Sequence, residues 1–200
     1  MKREVEYELA RNIRRLGHLD IEGGGEVVVR GSYAYVGHMK PPMGTSIIDV
    51  SDPANPTVVS HVAPPDEWSH THKVKVVGDL MITNVEMDRR HFLRKGDRIA
   101  GVRAEGLTDD QIAERLAVKS SDIPVLEEAL QRGYHSGGFR VWDISDKTAP
   151  KLLSYVKTHG FGVHRFDMDA NYAYISTEME GYVGNILVIY DLSDPISHRG

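Results

Sequence analysis

Short stretches in which apolar and polar residues alternate recur along the chain and predict β-strands. The segments "VVVRGSYAYVGH" (27–38), "VKVVGDLMITNV" (74–85) and "FDMDANYAYIST" (166–177) each contain two such stretches around a two-residue turn. Each turn contains Gly or Asn, which tolerate the positive φ that tight hairpins require. The pattern therefore predicts three antiparallel hairpins of similar design.

A second pattern follows each hairpin and ends in an Asp-x-Ser-Asp turn. It reads "SIIDVSDPANP" (46–56), "FRVWDISDKTAP" (139–150) and "LVIYDLSDPIS" (187–197). After the first two turns a proline opens another apolar stretch, at a strand end where its missing N–H costs least. The first two units thus predict four antiparallel strands each, and such units in series are the blades of a β-propeller.

The aligned repeats predict an all-β fold, a β-propeller of four-stranded blades. The 200 residues hold just under three blades, at 26–62, 72–156 and 164–197, and the last unit stops before its fourth strand. Residues 13–19 align with the outer strands and are predicted to close a blade whose other strands are absent. Propellers typically have about four to eight blades. We therefore expect a fragment of a larger propeller, with association of identical chains as the alternative.

Blade 2 carries an insertion at 88–137, between its second and third strands. Within it, "LTDDQIAERLAV" has apolar residues at helical spacing, and Thr108 with Gln111 forms a capping box. The stretch "IPVLEEALQRG" predicts a second helix that ends at Gly133. The sequence therefore predicts a helical insertion on a β scaffold.

The repeats are specific enough to suggest a family. The strings "SYAYVGH", "GTSIIDVSDPANP" and "NYAYISTEMEGYVGNILVIYDLSDP" resemble the LVIVD-repeat family of bacterial and archaeal β-propellers, over about 13–197 apart from the insertion. This resemblance implies the fold and no single activity. A looser, architectural likeness exists to propellers with axial metal sites, such as selenium-binding-type and carotenoid-oxygenase-type proteins.

The composition of the chain argues against some classes of binding partner and bears on its cellular location. The net charge is −5 and no basic stripe is present, which argues against nucleic-acid binding. The apolar runs are far shorter than the roughly 20 residues that span a bilayer. The chain has no cysteine, which excludes disulfides and thiolate metal ligands, and its N-terminus is charged and lacks the apolar core of a signal peptide. These features predict a cytoplasmic protein.

Two of the blades carry a His and a Glu at equivalent positions. His72 precedes the hairpin of blade 2 and Glu86 follows it, and His164 and Glu178 occupy the same positions in blade 3. Because the first strand of each blade lines the central channel, we expect all four at one end of it. Imidazoles there suit a divalent transition metal such as Fe, Mn, Zn or Cu. His72 and His164 are the candidate ligands, and Glu86 and Glu178 their hydrogen-bonding partners or alternative ligands.

The crossovers between blades supply the other candidate residues. Trp68, His70, His159 and Phe161 are candidates for the walls of a pocket at the same mouth, with the insertion as its lid. Blade 1 has no equivalent pair, so further ligands would come from other blades. The alternative is structural, with each His capping an inner strand and Glu86 pairing with a neighbouring lysine.

Two functions are compatible with these patterns. The first is a metal-dependent enzyme that acts on a small organic substrate by hydrolysis, lyase chemistry or oxygenation. The alternative is a non-catalytic propeller that binds a protein or a glycan through the loops of the same face. The repeated Asp and Ser residues are explained by turn chemistry, in which their side chains accept backbone N–H groups.

Overall fold

The computed structural model describes residues 11–194, which contain twelve β-strands in three antiparallel sheets. The charged segment 1–10 and the predicted end of blade 3 at 195–197 lie outside the described residues. The sheets follow one another along the chain, one for each repeat. The predicted all-β architecture of propeller blades with a helical insertion is confirmed.

Blade 1 is a four-stranded meander in chain order. Its strands are β1 (Gly24–Arg30), β2 (Tyr33–His38), β3 (Thr45–Asp49) and β4 (Thr57–Val62). The hairpin between β1 and β2 turns at Gly31, whose φ of 56° is in the left-handed region that favours glycine. The predicted two-residue turn is therefore present.

Blade 2 has its innermost strand in two pieces. Its strands are β5 (Ser69–His70), β6 (Val74–Val77), β7 (Leu80–Met87), β8 (Gly138–Asp143) and β9 (Lys151–Lys157). Both β5 and β6 pair with β7, β5 at its end and β6 at its beginning. Between the two pieces the amide of Lys73 donates to the side-chain Oδ1 of Asn84 at 2.8 Å. Where the strand is interrupted, the side chain of Asn84 therefore accepts the backbone N–H of Lys73.

Blade 3 contributes three strands to the described part of the chain. They are β10 (Arg165–Met168), β11 (Tyr172–Glu178) and β12 (Asn185–Asp191), paired in that order.

The Asp-x-Ser-Asp segments form the same turn in all three blades. The Oδ1 atoms of Asp49, Asp143 and Asp191 each accept the backbone N–H of the serine two residues later, at 2.8 Å. These hydrogen bonds lower the pKa of Asp49 and Asp143. The aspartates are turn residues, as predicted, and they have no part in the candidate site.

The hydrophobic core lies between the blades. One cluster joins blade 1 to blade 2 through Tyr35, Ile47, Val74, Met81 and Trp142, among others. A second cluster joins blade 2 to blade 3 and includes Ile82, Phe139, Val141, Phe166 and Ile175. Alternate residues of each strand thus face opposite neighbours, which explains why these strands have apolar residues on both faces.

The insertion is a small helical unit with its own core. Its helices are α1 (Arg90–Leu93), α2 (Ile99–Ala104), α3 (Asp109–Leu116) and α4 (Ile123–Arg132), with 3₁₀ turns at Gly96–Arg98 and Ser120–Asp122. The predicted capping box of Thr108 and Gln111 begins α3, and α4 ends at Gly133 as predicted. Met87 and Phe161 belong to the same apolar cluster and connect the helices to the blades. No helix among residues 11–194 is long and apolar enough to cross a membrane.

Residues 13–19 form no strand in the structure. Gly17 lies so close to the turn after β3 that a Cβ would be 2.5 Å from the carbonyl oxygen of Pro53. The segment therefore runs against blade 1. The predicted pairing as an outer strand requires strands of another blade, so it stays a prediction.

Blade 3 exposes a face that the other blades bury. Tyr172, Leu187 and Ile189 are exposed. The residues at the equivalent positions of blade 2 are Leu80, Phe139 and Val141, which pack against blade 3. This apolar face of β11 and β12 has the character of an inter-blade surface.

Replacing an isoleucine of the inter-blade core tests this packing. Ile82 is 0% exposed, whereas Ile189 is 56% exposed on β12. We expect Ile82→Ala to lower the free energy of unfolding by about 2–5 kcal/mol, and the matched control Ile189→Ala by less than about 1 kcal/mol. Denaturant titration followed by circular dichroism measures both. Equal losses would contradict the exposure of the β12 face and show that it is covered in solution.

Candidate metal centre

Four side chains converge at the end of the inner strands of blades 2 and 3. The Oε2 atom of Glu86 lies 3.1 Å from His70 Nε2, 3.0 Å from His164 Nδ1 and 3.6 Å from His72 Nδ1. The imidazole centroids of His70 and His72 are 4.3 Å apart, and those of His72 and His164 are 5.3 Å apart. One carboxylate oxygen is thus surrounded by three imidazoles.

Strand pairing brings His70 to Glu86. The two are direct cross-strand partners in the short ladder between β5 and β7. His72 lies two residues farther along the same extended segment, and alternate residues of such a segment share one face. The "HTH" motif therefore presents both imidazoles to Glu86.

A glycine brings the crossover into blade 3 close to the end of β7. The N–H of Val163 donates to Val85 O at 3.1 Å, and the N–H of Met87 donates to Phe161 O at 2.9 Å. Gly162 has φ 88°, and a Cβ there would lie 2.2 Å from Val85 O. Only glycine fits this approach, which places His164 next to Glu86.

The orientation of His70 is set by a carbonyl of blade 1. Its Nδ1–H donates to Met39 O at 2.9 Å, so Nε2 faces Glu86. Burial opposes a charge on the ring. The hydrogen bonds to Glu86 and Met39, with the charges of Glu86 and Asp88, outweigh burial and raise the pKa of His70. A ligating histidine is commonly held in this way, with one N–H on a carbonyl and the other nitrogen on the metal.

The orientation of His72 is set by Asn84. The Oδ1 of Asn84 accepts the N–H of Lys73, so its amide nitrogen is the donor to Val163 O at 2.8 Å and to His72 Nδ1 at 3.3 Å. This network assigns His72 Nδ1 as an acceptor. Burial and the neighbouring His70 lower the pKa of His72 to about 3. His72 is therefore neutral with its proton on Nε2, and a metal would bind it through Nδ1 in place of the hydrogen bond from Asn84.

Glu86 is a buried carboxylate, and one of its oxygens is in an ion pair but lacks a hydrogen bond within residues 11–194. It is 1% exposed, and its Oε1 lies 2.7 Å from Arg90 Nη1. The N–H direction of Arg90 does not give a hydrogen bond, and Oε1 has no hydrogen-bond partner among the described residues. Burial raises the pKa of Glu86, but hydrogen bonds from His70 and His164 and the charge of Arg90 lower it below its usual value. The carboxylate is thus ionised.

This arrangement has the donor atoms of a metal site. His70, His72 and Glu86 each offer a ligand atom, and these atoms lie within 4.8 Å of one another, so the three residues could hold a metal ion. His164 contacts the same oxygen of Glu86 and is positioned as a further ligand. Imidazole nitrogen with carboxylate oxygen is a donor set that suits Zn, Fe, Mn or Cu.

A cavity of about 310 Å³ opens beside the cluster. Its walls combine the cluster with the loop after β2 and the first residues of the insertion: Met39, Lys40, His70, His72, Glu86, Asp88, Arg89, Arg90, His91 and His164. The first turn of the insertion therefore lies beside the histidine cluster, where the insertion was predicted to lie.

Glu178 is not brought to this cluster. Its Oε1 lies 2.7 Å from Nη2 of Arg94, a residue of the insertion. Because only blade 2 carries an insertion, Glu86 and Glu178 have different neighbours despite their equivalent positions in the repeat. The predicted pairing of Glu178 with His164 is replaced by a contact between His164 and Glu86 across the blades.

The other predicted pocket residues are divided among different surfaces. His70 lines the cavity beside the cluster. Trp68 stacks with Arg132, whose guanidinium lies 3.6 Å from the ring centroid, in a cleft beside α4. Phe161 lines an apolar cavity of about 170 Å³ under the insertion. His159 forms an isolated bridge with Glu178. Of the four, only His70 joins the candidate metal centre.

Sequence reasoning missed Asn84 and Arg90, and it placed His70 among the possible pocket residues and not among the metal ligands. Asn84 lies two residues before Glu86, on the same face of β7, and a polar residue in that apolar strand was a usable signal. His70 alternates with His72 in the same way. Arg90 lies four residues after Glu86, but its contact depends on where the insertion folds, which no local pattern shows.

Comparison with known proteins agrees with the repeat pattern. A sequence model of the LVIVD repeat matches residues 24–63, which include all strands of blade 1, and residues 133–158, which include β8 and β9 of blade 2. No curated protein matches the chain. The two matched segments, one in each of two successive blades, show that this chain contains LVIVD repeats.

Proposed function

We propose that this protein is a metal-dependent enzyme that acts on a small organic substrate in the cavity beside His70, His72 and His164. The observation that carries the proposal is the convergence of three imidazoles on one buried carboxylate whose second oxygen has no hydrogen bond among residues 11–194. A divalent transition metal, held by the three histidines with Glu86 as ligand or partner, is the cofactor of this proposal.

A purely structural role explains the cluster less well. Burying an ionised carboxylate costs more free energy than its ion pairs usually return, and apolar residues of similar size stabilise a core at least as well. Here the polar atoms are concentrated beside a cavity, and two of the imidazoles are oriented by dedicated partners, Met39 O and Asn84. A carbonyl partner such as Met39 O for His70 is typical of a histidine that binds a metal.

Each side chain would have its own role in such a site. When bound, the metal would act as a Lewis acid or activate a water or dioxygen. Met39 O holds His70 in the orientation that would present Nε2 to it, His72 would bind it through Nδ1, and Glu86 supplies negative charge. The first residues of the insertion border the cavity. Hydrolysis, lyase chemistry and oxygenation are the reaction classes compatible with this arrangement.

Two further elements belong to the same proposal. The remaining blades of the propeller come from a longer chain, with self-association as the alternative, and they would contribute additional walls to the channel. A cytoplasmic location is part of the proposal, and the lack of cysteine in the chain supports it.

Metal content is the direct test. We expect the purified protein to hold about one equivalent of metal after dialysis, because one cluster of donor atoms is present among the described residues. The double variant His72→Ala/His164→Ala should lose the metal while retaining its β circular-dichroism spectrum. The matched control His159→Ala removes a histidine outside the cluster and should retain it. Elemental analysis gives the stoichiometry. Undiminished metal in the folded double variant would contradict the proposal.

Asn84 should compete with the metal for His72 Nδ1. Asn84→Ala frees that nitrogen from the hydrogen bond with the amide, so we expect metal affinity to rise about 2–10-fold, with the same stoichiometry at saturating metal. Competition with a coloured chelator measures the affinity, and Co²⁺ absorption reports the ligand geometry. Thermal unfolding of the variant serves as the control for folding. Unchanged affinity and an unchanged Co²⁺ spectrum in a folded variant would show that Asn84 has no such role.

The alternative function makes the opposite prediction. A non-catalytic propeller that binds a protein or a glycan would fold fully without metal, take up none on addition, and tolerate His72→Ala. That result would assign the histidines to structure and the loops of this face to partner binding.

A further inference from the structure

The cavity beside the metal centre has an excess of basic side chains. Lys40, Arg89 and Arg90 line it, together with His91, against the two carboxylates of Glu86 and Asp88. Arg89 Nε lies 3.5 Å from Asp88 Oδ2, which balances that carboxylate. Lys40 makes no ion pair within the described part of the chain. The cavity therefore carries a net positive charge even before a cation is added.

Arg90 has a contact that a bound metal would weaken. Its side chain is 15% exposed and its Nη1 lies 2.7 Å from Glu86 Oε1, without the alignment of a hydrogen bond. A cation bound to Glu86 shares the charge of that carboxylate. The guanidinium of Arg90 is then available to another oxyanion, for which its fork of N–H groups is well suited.

The chain turns sharply where the insertion begins. Arg89 has φ 54° and ψ 29°, a left-handed conformation that is uncommon for residues other than glycine and asparagine. The turn places two consecutive arginines on the wall of the same cavity. Unfavourable backbone conformations of this kind are concentrated at functional sites, because the surrounding structure must hold them.

The size and walls of the cavity limit its ligand to a small molecule with an apolar part. Its volume of about 310 Å³ is at the lower end of small-molecule sites. Met39 supplies an apolar wall, and the aliphatic stems of Lys40 and Arg89 add to it.

We propose that the substrate of this site is a small organic carboxylate, whose carboxyl group binds between the metal and Arg90, with Lys40 providing additional positive charge. This inference rests on the proposed metal-dependent function. The apolar walls favour a carboxylate with a hydrocarbon body over inorganic phosphate, which has no apolar part.

A pair of isosteric probes tests the inference. Benzoate and benzamide have nearly the same shape and differ in charge. On zinc-loaded protein, we expect isothermal titration calorimetry to show benzoate binding at least about tenfold tighter than benzamide, because the charged group gains a charge-assisted hydrogen bond. Inorganic phosphate should bind more weakly than benzoate.

Two arginine variants distinguish the contribution of a cavity residue to benzoate binding from that of another residue of the insertion. Arg90→Gln should weaken benzoate binding at least about tenfold. Arg94→Gln is the matched control, because Arg94 pairs with Glu178 and does not line the cavity. It should leave benzoate binding unchanged. Elemental analysis of each variant shows first that the zinc content equals that of the unmodified protein.

The outcomes distinguish the inference from the function on which it rests. Zinc-loaded protein that binds benzoate no better than benzamide would overturn the inference and leave the metal site intact. Equal effects of Arg90→Gln and Arg94→Gln would do the same, and phosphate binding tighter than benzoate would overturn the assignment to a carboxylate. Protein that takes up no zinc would overturn the proposed function and this inference together.

Discussion

The burial of one carboxylate organises this end of the molecule. Glu86 is ionised although it is almost completely enclosed, so it must be surrounded by hydrogen-bond donors and positive charge. Its partners come from different parts of the chain: His70 from the strand beside it, His164 from the next blade and Arg90 from the insertion. The requirement to compensate a single charge therefore couples blade 2, blade 3 and the helices, which otherwise meet mainly through apolar contacts.

Two neighbouring imidazoles beside this carboxylate have pKa values that are shifted in opposite directions. His70 is hydrogen-bonded to Glu86 and its pKa is raised, whereas the pKa of His72 is lowered by burial and by His70. Their rings are 4.3 Å apart. Two charged imidazoles at that separation would repel each other, so the protonation of one favours the neutral form of the other. The carboxylate thus raises the pKa of His70, while the buried ring beside it stays neutral.

The features that could be predicted from the sequence are local or repeated. Strand alternation, the Asp-x-Ser-Asp turns and the capping box of Thr108 depend on neighbours a few residues away, so their patterns are visible in the chain itself. His72, His164 and Glu86 were found because they occur at equivalent places in the repeat. Glu178 has the same signal, but Arg94 comes from an insertion without a counterpart in the other blades, and repeat symmetry says nothing about it. Asn84 was signalled by its position on β7 two residues before Glu86, whereas the contact of Arg90 depends on where the insertion folds.

The insertion leaves β7 and returns to β8, two strands that are adjacent in one sheet. Its entry and exit are therefore close together, and the blade is complete without it. A segment attached in this way can change in length and sequence over evolution without disturbing the blade that carries it. The histidines belong to the blades, whereas Arg89, Arg90 and His91 belong to the insertion. A change in the insertion can therefore replace Arg89, Arg90 and His91 on the cavity wall while the three histidines of the blades keep their places.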